Sequence, residues 1–212
     1  MFAEVLTPGL QGLWRQLADR PAVTGPFVLA GGTALAVQVG HRRSFDLDFF
    51  TTQDFRPELL EQTLLELGGT TVSLEEGTLH VRFGEAKASF LRYPYRWISP
   101  PVPGDGLMLA AVPDIAAMKV VAISQRGTKK DFYDLYKIMQ TSDPEQVKGW
   151  FLDKYGERKI NCYHILRSLF FFEDAEPDPE PISLDGTTWA QVKAFFRARE
   201  RTWFDALLSC PA

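Results

Sequence analysis

The chain has 212 residues, with 23 Lys and Arg against 27 Asp and Glu and a formal net charge of −4 at pH 7. Its 45% hydrophobic and 24% charged residues are a globular composition, and a chain of this length buries roughly 70% of its unfolded surface without disulfide or metal staples. The acidic balance excludes a protein that coats nucleic acid by bulk charge, and since no apolar run approaches ~18 residues, no membrane-spanning helix is expected.

Taken in chain order, the opening MFAEVLTPGLQGLW lacks a basic region followed by an apolar run, so no secretory signal is expected. Residues 8–19 place Leu10, Leu13, Trp14 and Leu17 at helical spacing. The apolar run 26–30 ends at Gly31-Gly32 and reads as a buried strand entering a tight turn. Residues 33–39 read as a short helix stopped by Gly40. Residues 44–51 (SFDLDFFT) read as a second strand, 57–67 as an amphipathic helix, and 70–74, 78–83 and 86–93 as three further strands. Three prolines and two glycines within residues 99–106 mark a break. After it come five predicted helices, 114–124, 129–139, 144–155, 160–172 and 187–208, with an acidic, proline-rich connector at 173–181 expected to be extended and solvated. The expected organisation is an α+β core over residues 1–105, a mixed sheet with flanking helices, followed by a helical region over 106–212. The two cysteines, Cys162 and Cys210, cannot build a disulfide framework, so a reduced cytoplasmic chain is expected.

One constellation carries chemistry. A Gly31-Gly32 turn at a helix start brings backbone N–H groups and the positive end of the helix dipole close to a ligand, which favours phosphate. Thr33 adds a hydroxyl at the same place. Asp46 and Asp48 alternate on the next strand, so both face one side, ~7 Å apart along its axis, while Leu47 and Phe49 face the other. Two carboxylates on one face are a hard oxygen site suited to Mg²⁺ or Mn²⁺. Taken alone, Gly-Gly is a common turn and Asp-X-Asp a common solvated edge; their combination within one strand–turn–helix–strand unit presents both sites together.

A second set lies on the helices. Lys119 shares a helical stripe with Ile115 and Ile123, a costly place for a lysine unless it reaches an anion or snorkels to solvent. Asp131 and Asp134, at i and i+3, share a face of the next helix. An acid at Asp131 also suits the first helical turn by itself.

The stretch AGGTALAVQVGHRRSFDLDFF, followed by DIAAMKVVAISQRG and KKDFYDLY, resembles the AbiEii/AbiGii-type nucleotidyltransferase toxin family of the polymerase-beta-like nucleotidyltransferase superfamily. The resemblance spans roughly residues 26–140. It implies a metal-dependent transfer of a nucleotide from an NTP to an acceptor. Asp46 and Asp48 would hold the metal, and Gly31, Gly32, Thr33 and Lys119 the phosphates, with Asp131 or Asp134 orienting Lys119 or the acceptor. Arg43, in His41-Arg42-Arg43, is a further candidate for nucleotide contact. The implied partners are an RNA acceptor such as a tRNA end, and a cognate antitoxin. Lys129-Lys130 and Arg197, Arg199 and Arg201 are candidate RNA-backbone contacts against the plainer reading of solvated charge. One position departs from the superfamily pattern: the strand expected beside the acidic one carries Ser89 where a third acid often acts as base, and Glu85 stands in the turn before it. That departure keeps two alternatives open, a noncatalytic nucleotide-binding module and transfer to a small molecule such as an antibiotic. His80 and His164 stand without metal-ligand spacing around them and read as structural.

Overall fold

In the computed structural model, residues 1–156 and 161–208 are described; the expected helix start at Ile160 and Cys210 lie outside the described residues. Contacts divide the chain into two units, one of Met1–Arg96 with Pro100–Ala111 and one of Trp97–Ser99 with Val112–Ala212.

The first unit opens with α1 (Pro8–Ala18). The Thr7 hydroxyl accepts the Leu10 N–H at 3.3 Å, and Pro8 stands in the first turn, where its missing donor costs nothing. The predicted stripe Leu10, Leu13, Trp14 and Leu17 is buried. A single turn, α2 (Pro21–Thr24), is not marked by any periodicity in the sequence. β1 (Val28–Ala30) runs directly into α3 (Gly31–Val39), which stops at Gly40 in the left-handed region, φ 70°. β2 (Asp46–Thr51), α4 (Pro57–Glu66), β3 (Thr70–Glu75), β4 (Thr78–Phe83) and β5 (Ala86–Arg92) follow as expected. Among the described residues the strands form one seven-stranded mixed sheet, ordered β3-β4-β5-β2-β1, then β7 (Leu107–Leu109) and β6 (Val102–Gly104). β2 pairs antiparallel with β1 and parallel with β5, which places it at the centre.

Alternation sorts the sheet into two faces. Leu47, Phe49, Leu79, Val81, Ala88 and Phe90 point to the buried face, where Phe49 stacks on Phe90 at 4.9 Å. The other face carries Asp46, Asp48, Ser89 and His80, all half-buried.

The break expected at 99–106 is a hairpin instead. β6 (Val102–Gly104) pairs with β7 (Leu107–Leu109), and β7 joins the sheet beside β1. Asp105 (φ 41°) and Gly106 (φ 83°) form the two-residue turn, both in the left-handed region that such hairpins require. The Trp14 indole donates to the Asp105 carbonyl at 3.0 Å. Pro103 is tolerated because β6 is the outermost strand, where a missing N–H breaks no ladder. Proline density therefore marked a strand edge, which reads in sequence like a loop.

The second unit contains α5 (Val112–Gln125), α6 (Lys129–Ile138), α7 (Pro144–Tyr155), α8 (Cys162–Ser168), α9 (Trp189–Ala198) and α10 (Glu200–Leu208). α8 ends at Ser168, short of the expected residue 172, and the helix expected over 187–208 is two helices separated at Arg199. Reciprocal capping boxes start α7 (Asp143 with Gln146) and α9 (Thr188 with Gln191). Phe132, Phe172, Trp189 and Phe196 interlock, with ring centroids 5.2–5.6 Å from Phe132.

The acidic connector is docked, contrary to the solvated expectation. Ala175 is buried, and the Lys129 ammonium donates to the carbonyls of Glu176 (3.0 Å) and Asp178 (2.6 Å). The Lys129 N–H donates to the Asp178 carboxylate at 3.1 Å. Lys129 is buried by this role and so does not serve as an RNA contact; its neighbour Lys130 is exposed.

A buried ion pair clamps the short segment Trp97–Ser99. Asp114 accepts the N–H groups of Ile98 and Ser99, both at 3.0 Å, and the Lys154 ammonium at 2.7 Å. The same ammonium lies 4.6 Å from the Trp97 ring centroid. Burial pulls the Lys154 pKa below the ordinary lysine value, opposed by the bond and charge of Asp114. No helix among the described residues is long and apolar enough to cross a membrane.

Asp114→Ala removes the carboxylate 2.7 Å from the buried Lys154 ammonium and the acceptor of the Ile98 and Ser99 N–H groups. The expected loss is about 3–5 kcal/mol of folding stability, read as a lowered urea midpoint. A loss below ~1 kcal/mol, the value of a surface pair, would show that the clamp contributes little.

Candidate active site

The turn from β1 into α3 builds the first half of the site. Ala30 is the last strand residue and Gly31 the first helical one, with no loop between them. That abrupt change needs φ 69° at Gly31, which an L side chain rarely adopts. A Cβ added there would also stand 3.2 Å from the Asp48 carboxylate oxygen Oδ2. The Asp48 carboxylate therefore lies against the start of α3, and the register Ala30↔Asp48 puts it there. The first N–H groups of a helix have no intrahelical acceptor, and no side chain caps α3. Gly31, Gly32 and Thr33 thus offer backbone donors and the positive helix end beside a carboxylate.

Asp46 and Asp48 are half-buried on one face of β2, with Leu47 and Phe49 buried on the other, as alternation predicted. Among the described residues no group of three or more His, Cys, Asp and Glu forms a metal cage. A two-carboxylate site with open positions still fits Mg²⁺, which keeps waters and takes substrate phosphate oxygens as its other ligands.

Thr33 does not offer a free hydroxyl to phosphate. It is buried; its Oγ donates to the Asp46 carbonyl and accepts from the Ser44 hydroxyl at 2.5 Å. Its side chain ties α3 to the strand that carries the two aspartates, leaving its N–H as the group able to face a ligand. Arg42 is buried and donates to the Arg43 carbonyl at 2.9 Å, whereas Arg43 is exposed.

β5 stands beside β2 in parallel register, Asp46↔Lys87 and Asp48↔Ser89. β4 continues the rows with Arg82↔Lys87 and His80↔Ser89. Paired residues share a face, so Lys87 and Arg82, both exposed, extend from Asp46 across the open face. His80 is not isolated: its Nδ1 lies 3.0 Å from the Ser89 hydroxyl. The two-residue turn at Gly84-Glu85 sets the β4–β5 register that brings the two together.

Lys119 is buried in the second unit, so it is not a snorkelling surface lysine. Its ammonium contacts Asp131 at 2.8 Å and Asp134 at 2.6 Å. Asp131 also accepts from the Arg126 guanidinium (2.8 and 3.0 Å) and the Thr128 hydroxyl (2.6 Å). Burial works to raise the Asp131 pKa, but Lys119 and Arg126 hold it well below the carboxylate range. The Thr128-X-X-Asp131 spacing at the helix start was a legible sign of this local bonding. A cavity of about 630 Å³, also in the second unit and lined by Arg126, Tyr163, His164, Arg167, Phe171 and Phe204 among others, contains none of the site residues predicted from sequence.

Comparison with known proteins decides the family. The profile of the family described as "Nucleotidyl transferase AbiEii toxin, Type IV TA system" matches residues 13–210. The chain belongs to the AbiEii nucleotidyltransferase toxin family. It is 34% identical over 194 residues to an uncharacterized protein of Aquifex aeolicus (strain VF5), covering 86% of this chain and 90% of that one. Its fold is that of a candidate nucleotidyltransferase from H. pylori (TM-score 0.53, 14% identity, 95% and 98% of the two chains). It is equally that of the nucleotidyltransferase toxin MenT4 of Mycobacterium tuberculosis H37Rv (TM-score 0.52, 18% identity, 96% and 94%). The chain is thus a nucleotidyltransferase of the toxin class, with the mixed α and β architecture expected.

Two outcomes test this geometry. Gly31→Ala forces a Cβ into a left-handed position, costing roughly 1–2 kcal/mol, and displaces the Asp48 carboxylate; both a lowered melting temperature and lost activity are expected. Asp131, with its folded pKa depressed, contributes stability above its unfolded value of ~3.9. That contribution is lost as pH falls through the folded value. Urea midpoints should drop between about pH 5 and about pH 2, less steeply in Asp131→Asn.

Proposed function

We propose that this toxin transfers a nucleotidyl group from an NTP to the hydroxyl of an anionic acceptor, an RNA such as a tRNA end. The carrying observation is the Asp48 carboxylate lying against the glycine start of α3. It supports the reading because carboxylates that would hold metal and N–H groups that would hold phosphate stand side by side. Asp46 and Asp48 would hold Mg²⁺ or Mn²⁺, which when bound supplies neutralisation of the phosphate charge. The N–H groups at Gly31 and Gly32 hold phosphate oxygens, and exposed Arg43 adds a cation beside the acidic strand. The acceptor oxygen attacks the α-phosphorus in line and pyrophosphate leaves; positioning and electrostatics supply most of the rate in such transfers. The roles toward nucleotide expected of Lys119, Asp131 and Asp134 belong to the same proposal, with the two carboxylates holding the lysine.

The acceptor class rests on the open face. Lys87 and Arg82, in register with Asp46, attract a phosphate backbone and repel a cationic antibiotic. The overall charge of −4 is no obstacle, because the grip is local. Membership of a type IV toxin–antitoxin family supports a cognate antitoxin as partner and a cytoplasmic site of action, where NTP and RNA are found. Ser89 in place of a strand acid favours one rival, a noncatalytic nucleotide-binding module.

The deciding experiment incubates the protein with Mg²⁺, each labelled NTP in turn and total RNA. Label on RNA is expected with the wild type, falling at least ~100-fold in Asp48→Ala and falling in Lys119→Met. NTP binding without transfer would establish the noncatalytic module, and label on protein would replace RNA as the acceptor.

A further inference from the structure

We infer that His80, acting through the Ser89 hydroxyl, is the proton acceptor for the attacking acceptor group; this rests on the transfer proposed above. Three observations carry it. Asp48, Ser89 and His80 occupy one cross-strand row, by the registers Asp48↔Ser89 and His80↔Ser89. All three are half-buried on the same open face. The His80 Nδ1 is 3.0 Å from the Ser89 Oγ, within hydrogen-bond reach for proton transfer. Neighbouring strands are ~4.8 Å apart, so Ser89 is directly beside the metal-binding aspartate and His80 one strand further.

Both residues suit the task. A hydroxyl gives up one proton as it accepts another, so Ser89 passes a proton without holding charge. A neutral imidazole with its proton on Nε2 presents the Nδ1 lone pair to Ser89. The acceptor oxygen forms its bond to the α-phosphorus while its proton moves to Ser89 Oγ. The Ser89 proton moves to His80 Nδ1. The bond to pyrophosphate breaks and the electron pair leaves with it.

Charged and polar groups flank His80 on three strands. Arg82 on its own strand and Lys87 on β5 are the cations of the adjoining row, and Asp48, beyond Ser89, and Asp46 are the carboxylates. Ser73 faces it from β3. α4 packs on the opposite face: a Cβ at Gly69, just beyond the helix, would meet the buried Val81 side chain and the Leu64 carbonyl.

The test compares wild type, His80→Gln, Ser89→Ala and the double variant in nucleotide transfer across pH, with NTP binding and melting temperature measured on each. The wild-type rate should fall on acidification, because a protonated ring has no lone pair with which to accept the proton. His80→Gln should lose at least ~100-fold in rate and lose that acidic limb, with NTP affinity and melting temperature unchanged. The double variant should fall no further than Ser89→Ala, because the two act as one relay. A nitrogen-15 spectrum supplies a readout independent of activity: the His80 Nδ1 signal should move in Ser89→Ala. An unmoved signal, or a His80→Gln enzyme that keeps its rate or its acidic limb, overturns the relay and leaves the transferase reading standing. A wild type that transfers to no acceptor overturns both.

Discussion

The pairing of β1 with β2 is the constraint on which the candidate site depends. β1 is three residues long, lies between β2 and β7, and passes into α3 without a loop. Backbone hydrogen bonds fix Ala30 opposite Asp48, and the next residue is already helical. The carboxylate and the helix start cannot move apart without breaking the ladder at the centre of the sheet. This explains the glycine: the chain must reverse within one residue, at a φ of 69°, beside an oxygen that a side chain would meet at 3.2 Å. Thr33 and Ser44 lock the same junction from the other side through the Asp46 carbonyl. The site is thereby set by backbone geometry, the least adjustable part of a fold.

Charge is used differently in the two units. In the first, carboxylates stand half-buried on an open sheet face with exposed Lys87 and Arg82 in register. In the second, they are taken fully out of water and matched: Asp131 and Asp134 with Lys119, and Asp114 with Lys154. Burying charge costs several kcal/mol per ion unless each is paired and hydrogen-bonded. The donors around Asp131 and Asp114 meet that condition. Each buried carboxylate also joins pieces of chain that would otherwise be unrelated: Asp131 links α5 to α6, and Asp114 links α5 to α7 and to residues 97–99.

Much of this was readable in the sequence, for physical reasons. Alternation in DLDFFT had one solution, because Leu47 and Phe49 must be buried and the aspartates must not. Gly-Gly between an apolar strand and a helix signalled a turn that excludes side chains. The failures share a cause, since each depended on a partner distant in the chain. Pro103 read as loop because only the sheet order reveals that it is on an edge. The connector read as solvated because only the fold brings Lys129 to its carbonyls. Thr33 read as a phosphate ligand because Ser44 and the Asp46 carbonyl are eleven and thirteen residues away.

The path of the chain near residue 97 bears on how such a protein can evolve. Trp97–Ser99 belongs with the helices, although residues on both sides of it belong with the sheet. No single cut divides the gene into one part for each unit. A fragment ending at residue 111 would carry away the strap and leave the buried Asp114–Lys154 pair without the two N–H donors of Ile98 and Ser99. The helical half therefore cannot be shuffled between relatives as a cassette unless three residues embedded in the other half change with it. Recombination is penalised at this boundary, and the two halves are expected to have been inherited together.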